Sequence, residues 1–429
     1  MWRAPATGPA WCAAASASAT TTAPAPSVRL SATAGNHADC IEILAPALVA
    51  GVVMNGPTLG ASVSTSNAAD EPPVKPAETA PAAPVEQHTN VSLSRGFINW
   101  LETAQCSLAF TSYQTGQLFL VGLTGDRKAS IHQTNFTRAM GVTVAGQRIV
   151  LASDTAVWRL ENILGPDQVA NNTYDRMYVP RAASYTGDLD VHELAVREDG
   201  QIVFINTKFS CLATLSPTHS FRPLWKPSFI SKLVPEDRCH LNGLAMQNGR
   251  ARYVSAISRS DSVSGWRDRR WEGGMIIDIT EDKVVVDDLS MPHSPRVHDG
   301  ALWVLDSGRG FLVRINPKNW ERQNIAFCPG FLRGLSFHGR FAIVTTSLPR
   351  DGLFKDLPLQ ANLQARDAEP RCALYIIDLH TGGIAEWIEL KGHITELFDI
   401  AVIPGCRCPS SVPLNSPNMA SLITIDSEG

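Results

Sequence analysis

MPHSPRVHDGALWVLDSGRGFLVRIN, residues 291–316, is the stretch from which the rest of the chain can be read. The pentad HSPRV runs into the turn HDG, the strand ALWVLD follows, and the turn SGRG sends the chain into a third strand, FLVRIN. Asp-Gly is tight-hairpin chemistry, because glycine takes positive φ without steric cost. The flanking β-branched and aromatic runs are strand formers. The same unit recurs in MGVTVAGQRIVLAS, HELAVREDGQIVFIN, NGLAMQNGRARYVSA and RGLSFHGRFAIVTTS, and in the truncated FDIAVIPG. Aligning the pentads makes Met140, His192, Asn242, His293, Arg333 and Phe398 equivalent, most of them about fifty residues apart. A repeat of that length made of strands is a propeller blade. One such sheet cannot bury both faces alone, so successive units must pack around an axis.

Six pentads predict an all-β fold, a six-bladed β-propeller over residues 91–408. The last pentad has little strand material after it, whereas CSLAFTSYQTGQLFLVGLT, residues 106–124, holds two strands with no pentad before them. N-terminal strands are therefore expected to complete the sixth blade and close the ring. The C-terminal tail, 409–429, is expected to lie outside it. Residues 1–90 are a different material, rich in Ala, Pro, Ser and Thr, as in AAASASATTTAPAPS. Too few large apolar side chains are present to offset the entropy of ordering, so a disordered leader is expected.

The chain has 429 residues, 44% hydrophobic and 18% charged, with a net charge of −4. A sequence pI near 6.3 argues against a nucleic-acid partner, which calls for a basic face. The apolar run IEILAPALVAGVVM is shorter than the ~20 residues a membrane span needs. Nine cysteines without framework spacing read as reduced thiols in a cytoplasmic protein. The leader has few basic residues, Arg3 and Arg29 among them, and bears only a weak likeness to an organellar targeting segment.

The repeat also sorts side chains by face. Pentad starts and the turns between second and third strands gather at one mouth of the channel. That mouth receives His192, Glu193, His240, Asn242, His293, Arg296, Arg333 and Asp399, with Asp306 and Arg309 in its outer ring. The opposite mouth receives only hairpins such as EDG, QNG and HDG. Polar groups at a propeller axis often do no more than bond channel water, and a lone inward histidine is usually satisfied by backbone. Three histidines at comparable height in consecutive blades point further, to one shared depression. With Asn242, the imidazoles of His192, His240 and His293 form a candidate set for a divalent first-row metal. Side chains alternate along a strand, so Glu193 points away from His192 and is the least secure member.

From about residue 106 to 405 the chain resembles the DUF4915 family of propeller-like proteins. The likeness is carried by MYVPRAASYTGDLDVHELAV, FINTKFSCLATL, PEDRCHLNGLAM, SMPHSPRVHDGALWVLDSGRG, FLRGLSF and AEPRCALYIIDLHTG. It implies a propeller and assigns no activity. A weaker similarity links LNGLAM to the six-bladed gluconolactonase and regucalcin-like superfamily, where an Asn at a pentad start binds metal. That resemblance implies such a role for Asn242, but His293 stands where those proteins carry an Asp.

Two functions of different class follow. One is a binding propeller whose polar mouth takes a small molecule, a glycan or a protein loop. The other is a metal-dependent hydrolase of lactone- or ester-like bonds. In it Glu193 or Asp399 is the general base, and Arg333 neutralises developing charge. An iron-dependent oxidoreductase using the histidines ranks third. No GxSxG, HExxH, P-loop or dinucleotide fingerprint is present.

Overall fold

The computed structural model describes residues 28–29, 40–44, 88–350 and 352–425. Six sheets radiate from one axis. Blade 1 runs outward through Val142–Ala145, Arg148–Ala152, Ala156–Asn162 and Arg176–Tyr185. Blade 2 is Val191–Val196, Ile202–Asn206, Cys211–Thr214 and Arg222–Trp225, and blade 3 is Leu241–Gln247, Arg250–Ala256, Gly274–Asp278 and Lys283–Leu289. The stretch that opened the reading supplies three strands of blade 4: Pro292–His298, Ala301–Asp306 and Phe311–Ile315. Arg322–Phe327 is the fourth. Blade 5 is Phe331–His338, Phe341–Ser347, Ala373–Asp378 and Gly383–Gly392, extended at its edge by His88–Leu93 and Cys40–Leu44.

Closure works as the truncated pentad implies. Ile400–Pro404 is the innermost strand of blade 6, and it pairs with Cys106–Ser112, then Gln117–Leu123 and Ala129–Asn135 from the other end of the chain. Val28–Arg29 adds to the outer edge of that sheet. The expectation of a leader disordered over 1–90 falls mostly outside the described residues; within it, His88 already belongs to a strand.

The C-terminal boundary differs from the expectation. Pro409–Ser411 joins blade 1 as a parallel outer strand on Arg176–Tyr178. The Ser411 carbonyl meets His132 Nε2 of blade 6 at 2.7 Å. A short polar run carries no strand signal; free backbone at the blade 1 edge recruits it.

Strand alternation builds the core. In blade 4, Ala301, Trp303 and Leu305 pack toward blade 5, while Leu302 and Val304 pack toward blade 3. Each blade is thus apolar on both faces, and among the described residues a separate hydrophobic cluster fills each interface between neighbouring blades. Helix α1 (Phe97–Ala104) packs into the cluster between blades 5 and 6 through Phe97, Trp100 and Leu101. The Asp299-Gly300 hairpin has both residues at positive φ, +47° and +69°. It pairs His298 with Ala301, the two-residue turn that matches strand twist. Cys106, Cys211, Cys239, Cys328, Cys372, Cys406 and Cys408 are all buried and unpaired. No described helix is long and apolar enough to cross a membrane.

Candidate functional site

Three positions near the start of each innermost strand divide the work at the channel mouth. Taking the aligned residues Met140, His192, Asn242, His293, Arg333 and Phe398 as one rank, the position two residues earlier forms a second, upper rank. This upper rank is Arg138, Asp190, His240, Met291, Phe331 and Glu396. Arg138, Asp190, His240 and Met291 all have positive φ, between 47° and 54°. That kink tips them over the end of the axis. The upper rank, with Met140, His192, Arg333 and Phe398 of the aligned rank, lines a cavity of about 580 Å³, with Tyr113, Asp237, Trp266 and Arg267 from the turns and residues 347–350 and 353–357 closing one side. Long connections between second and third strands, 257–273 in blade 3 and 348–372 in blade 5, bring Trp266 and Phe354 into an apolar cluster beside the cavity with Met291 and Phe331.

The residue one step further, Gly141, Glu193, Gly243, Ser294, Gly334 and Asp399, faces the neighbouring blade rather than the cavity. The Glu193 carboxylate accepts the Leu244 N–H of the next blade at 2.5 Å and is ion-paired with Arg296. Asp399 accepts from Val142 N–H at 2.9 Å and from Ile400 N–H at 2.8 Å. Ser294 donates to the Arg333 carbonyl at 3.0 Å. Asn242, from the aligned rank, donates to the Pro292 carbonyl at 3.0 Å. These groups staple blade to blade around the axis. The assignment of Glu193, Asn242, Arg296 and Asp399 to the ligand face is therefore corrected, because none of them lines the cavity and they bond instead to the backbone of adjacent blades or, for Glu193 and Arg296, to each other as well. Burial pushes the Glu193 carboxyl upward and, with the Glu193 charge nearby, takes Asp399 to about 7, partly offset by Arg296. Asp306 and Arg309 are also elsewhere: Asp306 accepts from Ser290 N–H at 2.8 Å and pairs with Arg309 at 3.1 Å in the outer turn of blade 4.

His192 and His240 line the cavity, and their rings meet edge to face at 4.9 Å. His192 Nδ1 lies 3.0 Å from the Asp190 carbonyl, which can only accept, so that nitrogen carries the proton. Thr207 Oγ, 2.9 Å from the same nitrogen, gives its own proton to the Leu241 carbonyl and reinforces the tautomer. Burial holds the ring down at about 4 against the opposing pull of Asp190, so His192 is neutral near pH 7. His240 Nδ1 sits 2.9 and 3.0 Å from the two Asp237 oxygens, one of which also accepts from Trp266 Nε1 at 2.7 Å. The Trp266 ring covers the imidazole at 4.2 Å.

His293 is built like His192 but lies one layer back, behind Arg333. Its Nδ1 donates to the Met291 carbonyl at 2.8 Å, and its Nε2 accepts from the Arg333 guanidinium at 3.3 Å. Burial and the Arg333 charge hold it well below the usual imidazole range. The shared metal set of His192, His240, His293 and Asn242 is thus not assembled. Arg333 occupies the His293 lone pair, Asn242 faces the next blade, and no three His, Cys, Asp or Glu side chains among the described residues gather to hold an ion.

Arg333 is the most exceptional group here. Its guanidinium lies 4.9 Å from the Phe331 ring centroid, 5.4 Å from Phe398 and 5.8 Å from Tyr113. Its buried Nε has no hydrogen-bond partner, and among the described residues no carboxylate lies within ion-pair distance. Desolvation lowers its affinity for the proton, against the distant pull of Glu396 and Asp190. By contrast the carboxylates of the mouth are satisfied: Asp190 by Arg138 at 2.8 Å, and Glu396 by Arg350 at 3.0 Å and the Tyr113 hydroxyl. Reading the aligned rank alone missed Arg138, Asp190, Met291, Phe331 and Tyr113. The upper rank was legible as the position two before each pentad start; Tyr113 carried no such mark.

Among solved structures the chain is similar to a nidogen/laminin complex chain at 12% identity (TM-score 0.44), covering 70% of this chain and 99% of that one. A virginiamycin B lyase from Staphylococcus aureus matches at 10% identity (TM-score 0.33), covering 66% and 76%. A computationally designed protein, Ika8, matches at 10% (TM-score 0.31), covering 68% and 76%. No curated protein matches the sequence significantly. The model of the domain of unknown function DUF4915 matches residues 95–412, which takes in all six blades, and the chain therefore belongs to the DUF4915 family.

Proposed function

We propose that this propeller binds a small organic anion at its histidine-bearing mouth, with Arg333 as the anchor. The observation that carries the reading is the unpaired guanidinium. A half-buried cation held among aromatic rings without a carboxylate partner is costly, and a ligand anion in the cavity would relieve that cost. The surrounding rings remove water around Arg333, which strengthens a bond to a carboxylate, and their faces tolerate the cation meanwhile. Arg267, stacked on Trp266 at 4.6 Å, adds positive potential at the rim. A neutral His293 behind Arg333 orients the guanidinium without competing for the anion. The test is isothermal calorimetry with aromatic and aliphatic carboxylates against their amides. Acids should bind in preference to amides, and Arg333→Met should weaken them by about a hundredfold, the scale of losing one partner of a desolvated pair. Equal binding of acid and amide would reject the reading.

A further inference from the structure

The two cavity histidines restrict what else that anion carries. Asp190 and Thr207 hold the Nδ1 of His192, and Asp237 holds that of His240. The Nε2 of either ring has no partner among the described residues. With its proton on Nδ1, neutral His192 presents Nε2 as an acceptor. The Asp237 carboxylate takes the Nδ1 side of His240, so its Nε2 is the nitrogen left to the cavity. A ligand must therefore bring a donor to this side of the cavity. An ammonium group is disfavoured, because Asp190, Asp237 and Glu396 already have their cations or donors. A hydroxyl answers the imidazoles alone. Spacing limits the molecule further: the Phe398 ring lies 5.4 Å from the His192 ring and 5.4 Å from the Arg333 guanidinium, so donor and anion sites flank one aromatic ring.

We infer that the ligand class is a small hydroxycarboxylic acid, its carboxylate on Arg333 and its hydroxyl, a few bonds away, donated to Nε2 of His192 or His240. This rests on the anion reading above and adds the hydroxyl. Mandelate, phenylacetate and mandelamide separate the two. Mandelate and phenylacetate differ by the hydroxyl, mandelate and mandelamide by the charge. By calorimetry mandelate should bind roughly tenfold or more tighter than phenylacetate, with one enantiomer preferred. At least one of His240→Phe and His192→Phe, each first shown to be folded by circular dichroism, should bring the ratio of mandelate to phenylacetate affinity close to one; an unchanged ratio in both variants overturns the hydroxyl inference. Should both variants misfold, ¹⁵N spectra of the wild-type imidazoles serve instead: mandelate should shift an Nε2 resonance that phenylacetate leaves in place. Equal affinity for mandelate and phenylacetate overturns the hydroxyl inference and leaves the anion reading standing. Equal affinity for mandelate and mandelamide, or binding of none of the three, overturns both.

Discussion

His192 shows how much of this site is set by the surroundings of single side chains. Its ordinary imidazole value of 6.5 falls to about 4 because the charged ring would lose its water, while Asp190 only partly compensates. Between pH 4 and 6.5 the unfolded chain therefore binds a proton at this residue that the folded chain refuses. Stability contributed by His192 is complete above about pH 6.5, declines as the pH falls toward 4, and is flat below that, a swing of about 3 kcal/mol. Asp399 works in the opposite sense: its folded carboxyl titrates at about 7, so it favours the fold at low pH and penalises it as the pH rises through that range. The wild-type profile superposes the two. Denaturant titrations of wild type and His192→Gln across pH 4–7 isolate the histidine: the stability difference between them should shrink steadily as the pH drops. A difference independent of pH would mean that the ring is not buried neutral.

At the scale of the element, the innermost strands approach more closely than side chains normally allow. The rank Gly141, Glu193, Gly243, Ser294, Gly334, Asp399 alternates glycine with a polar side chain, so each glycine makes room for what its neighbours insert. A Cβ on Gly243 would lie 2.3 Å from Pro295 Cδ and 2.9 Å from Glu193 Oε2. The Pro295 ring is held by its backbone and cannot step aside. Gly243→Ala should therefore destabilise the protein by about 2 kcal/mol, the range of core overpacking, with a lowered urea midpoint and an unchanged slope. Its effect on the Glu193–Leu244 bond should spread to blades 2 and 3 and be visible as faster amide exchange there. An unchanged midpoint would show that the inner strands can spread without cost.

The whole ring is closed twice. The inner strand Ile400–Pro404 supplies the first closure, pairing C-terminal residues with N-terminal strands of blade 6. The second is the strand Pro409–Ser411, seated on blade 1 and bonded to His132 and Thr134 of blade 6. Desolvation of His132 disfavours its charged form, with the Ser411 carbonyl opposing. Truncation after Cys408 leaves the six blades intact but removes this latch across the seam where the chain ends meet. The expected result is a fall in Tm of roughly 5 °C, with ligand binding at the distant mouth preserved. Loss of all folded structure would mean that the latch is needed for closure itself.

The repeat of pentad, glycine turn and strand was enough to specify six blades and their order, because hairpin chemistry and alternation are local properties each blade carries in its own residues. The truncated sixth pentad even required closure by N-terminal strands. Sequence also put His192, His293 and Arg333 at equivalent positions of the repeat, with His240 two residues before another, and equivalent positions in a rotational repeat share a height. It could not say which neighbour each side chain would meet. Whether a carboxylate such as Glu193 faces a cavity or the backbone of the next blade depends on the packing between blades, where an alternating glycine leaves the space. The relation of Arg333 to His293 crosses from blade 5 to blade 4, and its aromatic surround takes Phe331 from its own strand, Phe398 from the next blade and Tyr113 from the far end of the chain. Closure of the ring through blade 6 sets Tyr113 beside Arg333, the cation on which the proposed anion reading rests.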